Sequence, residues 1–165
     1  MGSYNRGKLE VIEMLKQRFP KGSTCLDVGA CDGKWAYLLD GYFKIDAVEA
    51  YEPNIEEYCL KEVYDNVYNT PMEEFSYDHY DLIIFGDVIE HITVENSQRI
   101  LKYGKEHSKG MLVVVPFLYY QDEMYGNPYE KHLQPDLTPK TFKERYGEWE
   151  VLWEDKEYCY YYCGE

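Results

Sequence analysis

The sequence predicts an α/β fold, a mostly parallel seven-stranded sheet with an antiparallel C-terminal strand and helices on both faces. Three observations carry this. Five short apolar runs alternate with helical segments, the pattern of parallel strands joined by crossover helices. One of them, Tyr80-Asp81-Leu82-Ile83-Ile84-Phe85-Gly86, is almost unbroken in apolar residues, as a central parallel strand should be. The chain then ends in two aromatic-rich runs, 149–153 and 158–163, flanking Asp155-Lys156-Glu157, which reads as a hairpin adding two strands.

The elements follow in order. Leu9, Ile12, Leu15 and Phe19 recur at helical spacing, so residues 7–19 form an amphipathic helix that Pro20-Lys21-Gly22 ends. Ser23 to Val28 is the first strand and stops at Gly29. Gly33 to Leu39 is helical, and Phe43 to Ala50 is the second strand. Pro53 suits the first turn of a helix carrying Ile55, Tyr58, Cys59 and Leu60. Val63 to Tyr68 is a weaker third strand. After the fourth, Thr93 caps a helix to about Glu106. Met111 to Val115 is the fifth strand, ended by Pro116. Residues 117–137 form a loop longer than most connections. Thr138-Pro139 opens a short helix that Gly147 closes.

A chain of 165 residues supports one substantial core, so residues 1–165 are expected to form a single domain. The formal net charge of −14 opposes phosphate backbones and anionic membranes, and no basic run offsets it. Nucleic acid and membrane are therefore disfavoured as partners, and a monomer or a homodimer is expected. Met1 to Arg6 has no apolar signal core, and no stretch is long enough to span a membrane. Gly2 would suit N-myristoylation, but Arg6 stands where Ser or Thr is wanted. These features suggest a cytoplasmic protein. Cys25, Cys31, Cys59, Cys159 and Cys163 lack metal-ligand spacing and read as reduced thiols.

In an open α/β sheet, ligands bind beyond the carboxyl ends of the strands. The first strand ends in Asp27-Val28-Gly29, and Gly33 opens the following helix. Glu49 ends the second strand, where a carboxylate can accept hydrogen bonds from both ribose hydroxyls. A nicotinamide dinucleotide would need G-x-G-x-x-G. Gly29-Ala30-Cys31-Asp32-Gly33 fails that spacing and puts Asp32 where a pyrophosphate would lie.

Asp27-x-Gly29-x-x-x-Gly33, Glu49, and Gly86-Asp87-Val88-Ile89-Glu90-His91 together resemble the class I S-adenosylmethionine (SAM)-dependent methyltransferases, which have a Rossmann-like fold. The likeness covers nearly the whole chain, terminal hairpin included. It implies SAM as methyl donor. Asp27 would lie near its ammonium group. The loop Gly29, Ala30, Cys31 and Gly33 would wrap the methionine part. Glu49 would hold the ribose, Ala50 and Tyr51 would flank the adenine, and Met72 would cover its edge. Gly86 and Asp87 would face the methionine and the acceptor. There are two departures. Cys31 replaces a customary third glycine, and Asn69-Thr70-Pro71-Met72-Glu73 has no acid directly at the expected adenine contact.

Methyl transfer needs an oriented acceptor and a route for its proton. Asp87, His91 and His132 are the catalytic candidates. If a helix begins after the fourth strand, positions 87, 90 and 91 share a face. His132 comes from the long loop at the same end of the sheet. The D-x-x-E-H pattern is similar to that of quinone-pathway O-methyltransferases and small-RNA 2′-O-methyltransferases. That likeness implies a divalent metal on Asp87, Glu90, His91 and His132. A metal-free histidine base and a purely structural turn remain the other readings. Tyr119, Tyr120, Tyr125, Tyr129, Phe117 and Gln121 are candidate acceptor contacts. The expected activity is methylation of a small molecule or glycan, at oxygen. A non-catalytic SAM-binding module and a methyltransferase for RNA or protein are the alternatives. Convergence of Asp87, His91 and His132 would argue against the binding module.

Overall fold

The computed structural model describes residues 5–164; Gly2, considered above for lipidation, lies outside the described residues. Seven strands form one sheet: β1 (Thr24–Val28), β2 (Lys44–Val48), β3 (Asn66–Tyr68), β4 (Tyr80–Gly86), β5 (Ser108–Pro116), β6 (Glu150–Glu154) and β7 (Tyr158–Gly164). Their spatial order is β3-β2-β1-β4-β5-β7-β6. The first five pair in parallel, and β7 runs antiparallel between β5 and β6. The strand order reverses between β1 and β4, which opens a crevice beyond their carboxyl ends.

The helices are α1 (Lys8–Arg18), α2 (Lys34–Leu39), α3 (Glu52–Glu57), α4 (Leu60–Val63), α5 (Val94–His107) and α6 (Pro139–Tyr146). Strand periodicity sorts the core into two layers. Cys25, Leu82, Ile84, Leu112 and Val114 pack with Val11, Leu15, Trp35 and Leu39 on one face. Leu26, Ile83, Phe85, Met111 and Val113 pack with Ile100, Leu101 and Phe142 on the other. Both faces of β4 are thus covered, which is why its sequence is apolar without alternation.

Two local expectations change. The single helix after Pro53 is broken, because Cys59 takes a left-handed backbone (φ 49°) between α3 and α4. The break sends Leu60 into the core, where it is fully buried. No α-helix starts at Asp87 either. Asp87 is itself left-handed (φ 55°), and a short 3₁₀ turn, Ile89–His91, follows before Thr93 caps α5 through Asn96 N–H at 3.2 Å. Residues 117–137 remain mostly irregular, with a 3₁₀ turn at Pro128–Glu130 capped by the Asn127 side chain. Among the described residues no helix is long and apolar enough to cross a membrane.

Candidate active site

A cavity of about 590 Å³ lies at the crevice beyond β1 and β4. One side is made by the ends of the parallel strands. Gly29 has φ 75°, a backbone that glycine adopts without steric cost, and a Cβ there would lie 2.5 Å from Val88 Cγ2. The Gly29 and Ala30 N–H groups both donate to the Val48 carbonyl, at 2.8 and 3.2 Å, which ties the loop to β2. Gly33 N–H donates to the Ala30 carbonyl at 2.8 Å and closes the turn.

Glu49 lies where β2 ends. Its Oε2 accepts from Cys31 N–H at 2.7 Å and its Oε1 from Tyr51 N–H at 2.8 Å. Burial pushes its carboxyl above the usual range, against the pull of these amides. Each carboxylate oxygen can still accept again, so the side chain braces the loop and keeps acceptor capacity. Asn69 takes the position where an acid was missed. Its Nδ2 donates to the Glu49 and Ala50 carbonyls at 2.8 and 3.2 Å, fixing the end of β2.

Of the proposed donor contacts, Gly29, Ala30, Cys31, Glu49, Ala50, Met72, Gly86 and Asp87 line this cavity. Tyr51 lines a smaller neighbouring one of about 270 Å³ with Tyr58 and Tyr125. Asp27 and Gly33 line neither. Asp27 is buried behind the loop, where Oδ2 accepts from the Tyr64 hydroxyl at 2.5 Å. Gly33 caps α2 with φ 74° and packs toward Leu60.

The opposite side of the cavity is built by the 3₁₀ turn after β4 and the loop after β5. His91 and His132 meet there edge to face, with ring centroids 4.5 Å apart. His132 Nδ1 lies 2.8 Å from the Tyr119 carbonyl, which can only accept. The proton is therefore on Nδ1, and Nε2 carries the free lone pair. Burial lowers both imidazoles, His91 to about 4 with His132 adding to the effect, so both are neutral at neutral pH.

Glu90 is buried beneath them, and desolvation followed by the Asp87 charge raises its carboxyl well above the usual range. Ligand atoms of Glu90, His91 and His132 lie within 4.8 Å of one another. Asp87 lines the cavity but is not among the ligand atoms of this cluster. The Asp87 and Glu90 charges, after burial, raise the Tyr158 phenol.

Phe117, Tyr119, Gln121 and Tyr129 line the cavity as anticipated; Tyr120 and Tyr125 do not, and both are largely exposed. Trp35, Tyr158 and Glu157 were missed. Trp35 Nε1 is buried with no hydrogen-bond partner and abuts Gly86. A signal for Tyr158 did exist. An antiparallel last strand places its first residue at the carboxyl edge of its parallel neighbour, and Tyr158 pairs with Pro116.

The sequence model of a family described as Methyltransferase domain matches residues 4–162. The chain belongs to this methyltransferase family. The expectation of a SAM-dependent methyltransferase with a Rossmann-like sheet is met. No curated protein matches the sequence significantly. Solved structures share the fold at low identity. The N-terminal domain of EvdMO1, determined with S-adenosylhomocysteine (SAH) and D-fucose, is 17% identical, with a TM-score of 0.67 over 98% of this chain and 83% of that one. A SAM-dependent methyltransferase from Clostridium acetobutylicum is 13% identical, with a TM-score of 0.72 over 96% and 91%. DhpI in complex with SAM and HEP is 11% identical, with a TM-score of 0.73 over 96% and 86%.

Proposed function

We propose that this methyltransferase moves the methyl group of SAM to a hydroxyl of a small molecule or sugar. One observation carries the reading: a single cavity joins the Gly29–Glu49 side to the His91–His132 pair. The donor side fits SAM by its own features. They are a positive-φ glycine turn without phosphate-binding spacing, a buried carboxylate at the end of β2, and the unpartnered Trp35 N–H at the wall. SAM supplies a methyl group already activated by positive sulfur. Glu49 would hold the ribose, Met72 and Ala50 the adenine, and Gly29 to Cys31 the methionine part. His132 would be the base, because its Nδ1 is tied to the Tyr119 carbonyl, which leaves Nε2 as the acceptor nitrogen, and burial lowers His91 to about 4. His91 and Tyr158 would orient the acceptor oxygen. The solved relatives include one determined with a sugar, which favours a hydroxylated acceptor. The charge of −14 disfavours RNA. All five cysteines are free, in keeping with a cytoplasmic setting.

A second reading has a specific observation behind it. Glu90, His91 and His132 could hold a divalent ion, since their ligand atoms cluster and Glu90 Oε2 and His91 Nδ1 are buried without partners. Two imidazoles with one carboxylate suit Mn²⁺, Fe²⁺ or Zn²⁺ better than Mg²⁺. Such an ion would supply Lewis-acid polarisation of the acceptor hydroxyl. His132 would then ligate through Nε2 in place of acting as base.

The test is SAH formation from SAM with a panel of sugars and hydroxylated small molecules, run with and without a chelator, with Glu49→Ala as the donor control. Turnover that survives chelation supports the metal-free base, and turnover restored only by added metal supports the second reading. Methyl transfer confined to RNA or protein fractions would overturn the small-molecule acceptor.

A further inference from the structure

The two histidines are brought together by a residue that neither motif contains. Gln134 is almost fully buried. Its Nε2, with two protons to give, lies within hydrogen-bond distance of the carbonyls of Ile89 at 2.9 Å and Ile92 at 3.1 Å and of Ser97 Oγ at 3.1 Å. Its Oε1 accepts from the Tyr146 hydroxyl at 2.6 Å and Arg145 Nη1 at 3.2 Å. Alongside it, the backbone N–H groups of Leu133 and Gln134 both donate to the Glu90 carbonyl, at 2.8 and 3.0 Å. The segment carrying His132 is thus stitched to the turn carrying Glu90 and His91.

We infer that Gln134 is a positioning residue that sets the geometry of the His91–His132 pair. Its amide grips both ends of the Ile89–Ile92 turn with donors while its oxygen is held from α6. Only a primary amide of this length supplies donors and an acceptor to the two sides at once. Glutamate would keep the acceptor and lose the donors. Methionine would keep much of the volume and lose both. Buried carbonyls stripped of their donor must find another, so the turn would shift or admit water. His132 is two residues before Gln134 along the chain, and its own N–H is tied to the Gln121 carbonyl at 2.9 Å. Gln121 in turn donates to the Glu130 carbonyl and carboxylate, at 2.7 and 3.0 Å. The loop therefore arrives stiff, and the Gln134 grip decides where it docks. The donor side of the cavity shares none of these hydrogen bonds.

This inference rests on the reading of His91 and His132 as acceptor-facing groups, but its test needs no turnover. The rival is a residue that merely helps pack α5 against α6 through Ser97 and Tyr146. Isotope-labelled histidine gives a cross-relaxation signal between the two imidazole rings when they touch. The comparison is between the unaltered protein, Gln134→Met, Gln134→Glu and Tyr146→Phe, with SAH affinity measured by calorimetry on each. The expected result is a ring–ring signal in the unaltered protein and in Tyr146→Phe. Both Gln134 variants should lose the signal with SAH affinity unchanged. If Gln134→Met does not fold, Gln134→Glu decides. A signal retained in the Gln134 variants that fold, or one absent from the unaltered protein, overturns the inference. Loss of the signal in Tyr146→Phe as well would assign the effect to α5–α6 packing and overturn it too. Should the variants behave as expected while His132→Ala leaves methyl transfer intact, the positioning stands and the acceptor reading falls.

Discussion

Tyr64 donates its hydroxyl proton to Asp27 Oδ2 at 2.5 Å, behind the glycine loop and not within the cleft. The resemblance places Asp27 near the ammonium group of SAM; in the structure it is a buried carboxyl whose other oxygen has no hydrogen-bond partner. Burial pushes its pKa up to about 7, with the Tyr64 hydroxyl and the Lys8 charge opposing.

That shift has a sign. The folded protein holds the Asp27 proton over a range where the unfolded chain, with its ordinary carboxylate, has released it. The contribution to stability is full below about pH 4 and is lost as pH rises toward 7. Asp27→Asn should therefore flatten the fall in melting temperature between those limits. Tyr64→Phe removes a bond that favours the charged form, so it should move the Asp27 titration higher still. Carboxyl carbon NMR of the two proteins reads this directly. An Asp27 signal that titrates in the ordinary aspartate range would contradict it.

Gly29→Ala combines two penalties. The left-handed backbone resists a side chain, and the new methyl would lie 2.5 Å from Val88 Cγ2. Together they should cost roughly 2–4 kcal/mol, a drop in melting temperature of roughly 5–10 °C. The paired change Gly29→Ala with Val88→Ala should recover the steric share and leave the backbone share. Equal melting temperatures for the single and double variants would show that the Val88 contact is irrelevant.

Glu49→Ala removes the acceptor for the Cys31 and Tyr51 amides as well as the proposed ribose contact. Hydrogen bonds to a charged group are worth about 1.5–3 kcal/mol, so SAH should bind roughly 10- to 150-fold more weakly. Calorimetry measures it. Glu49→Gln should lose less, because an amide oxygen can still take one of the two backbone donors. Unchanged affinity in Glu49→Ala would remove this residue from the donor site.

His132→Ala deletes the cavity-lining imidazole proposed as the base. Methyl transfer should fall by about 10²- to 10⁴-fold, the span of a general base, with SAH affinity unaltered. A parallel loss of SAH affinity would place His132 in the donor site.

The sheet was legible because each strand carries its own local signal. The unbroken apolar run at β4 and the aromatic hairpin mark the centre and one end of the order. The glycine loop and Glu49 were legible for the same reason, as they sit at strand ends where backbone turns are forced. For Asp27, sequence spacing does not say which face of β1 it occupies. It points into the helical layer beside Tyr64. The partnership of His91 with His132 was only a juxtaposition in the sequence. The hydrogen bonds that join them run from residues 133 and 134 to residues 89, 90 and 92, and neither partner belongs to a recognisable motif. A helix start after β4 stayed open in the sequence because periodicity cannot register the left-handed backbone at Asp87.

The cavity is assembled from stretches of chain on either side of α5, with the turn at Ile89–His91 on the near stretch meeting the His132 loop. Gly29, Glu49, Met72 and Gly86 all precede α5, while Phe117, Tyr119 and His132 belong to the excursion between β5 and α6. In the proposed reading the acceptor side draws on both stretches, His91 from the first and His132 from the second. Met124, Tyr125, Asn127 and Glu130 of that excursion also line the smaller cavity with Cys31 and Tyr51, so under the proposed reading a graft that exchanged residues 117–137 would alter the methyl supply as well as the address.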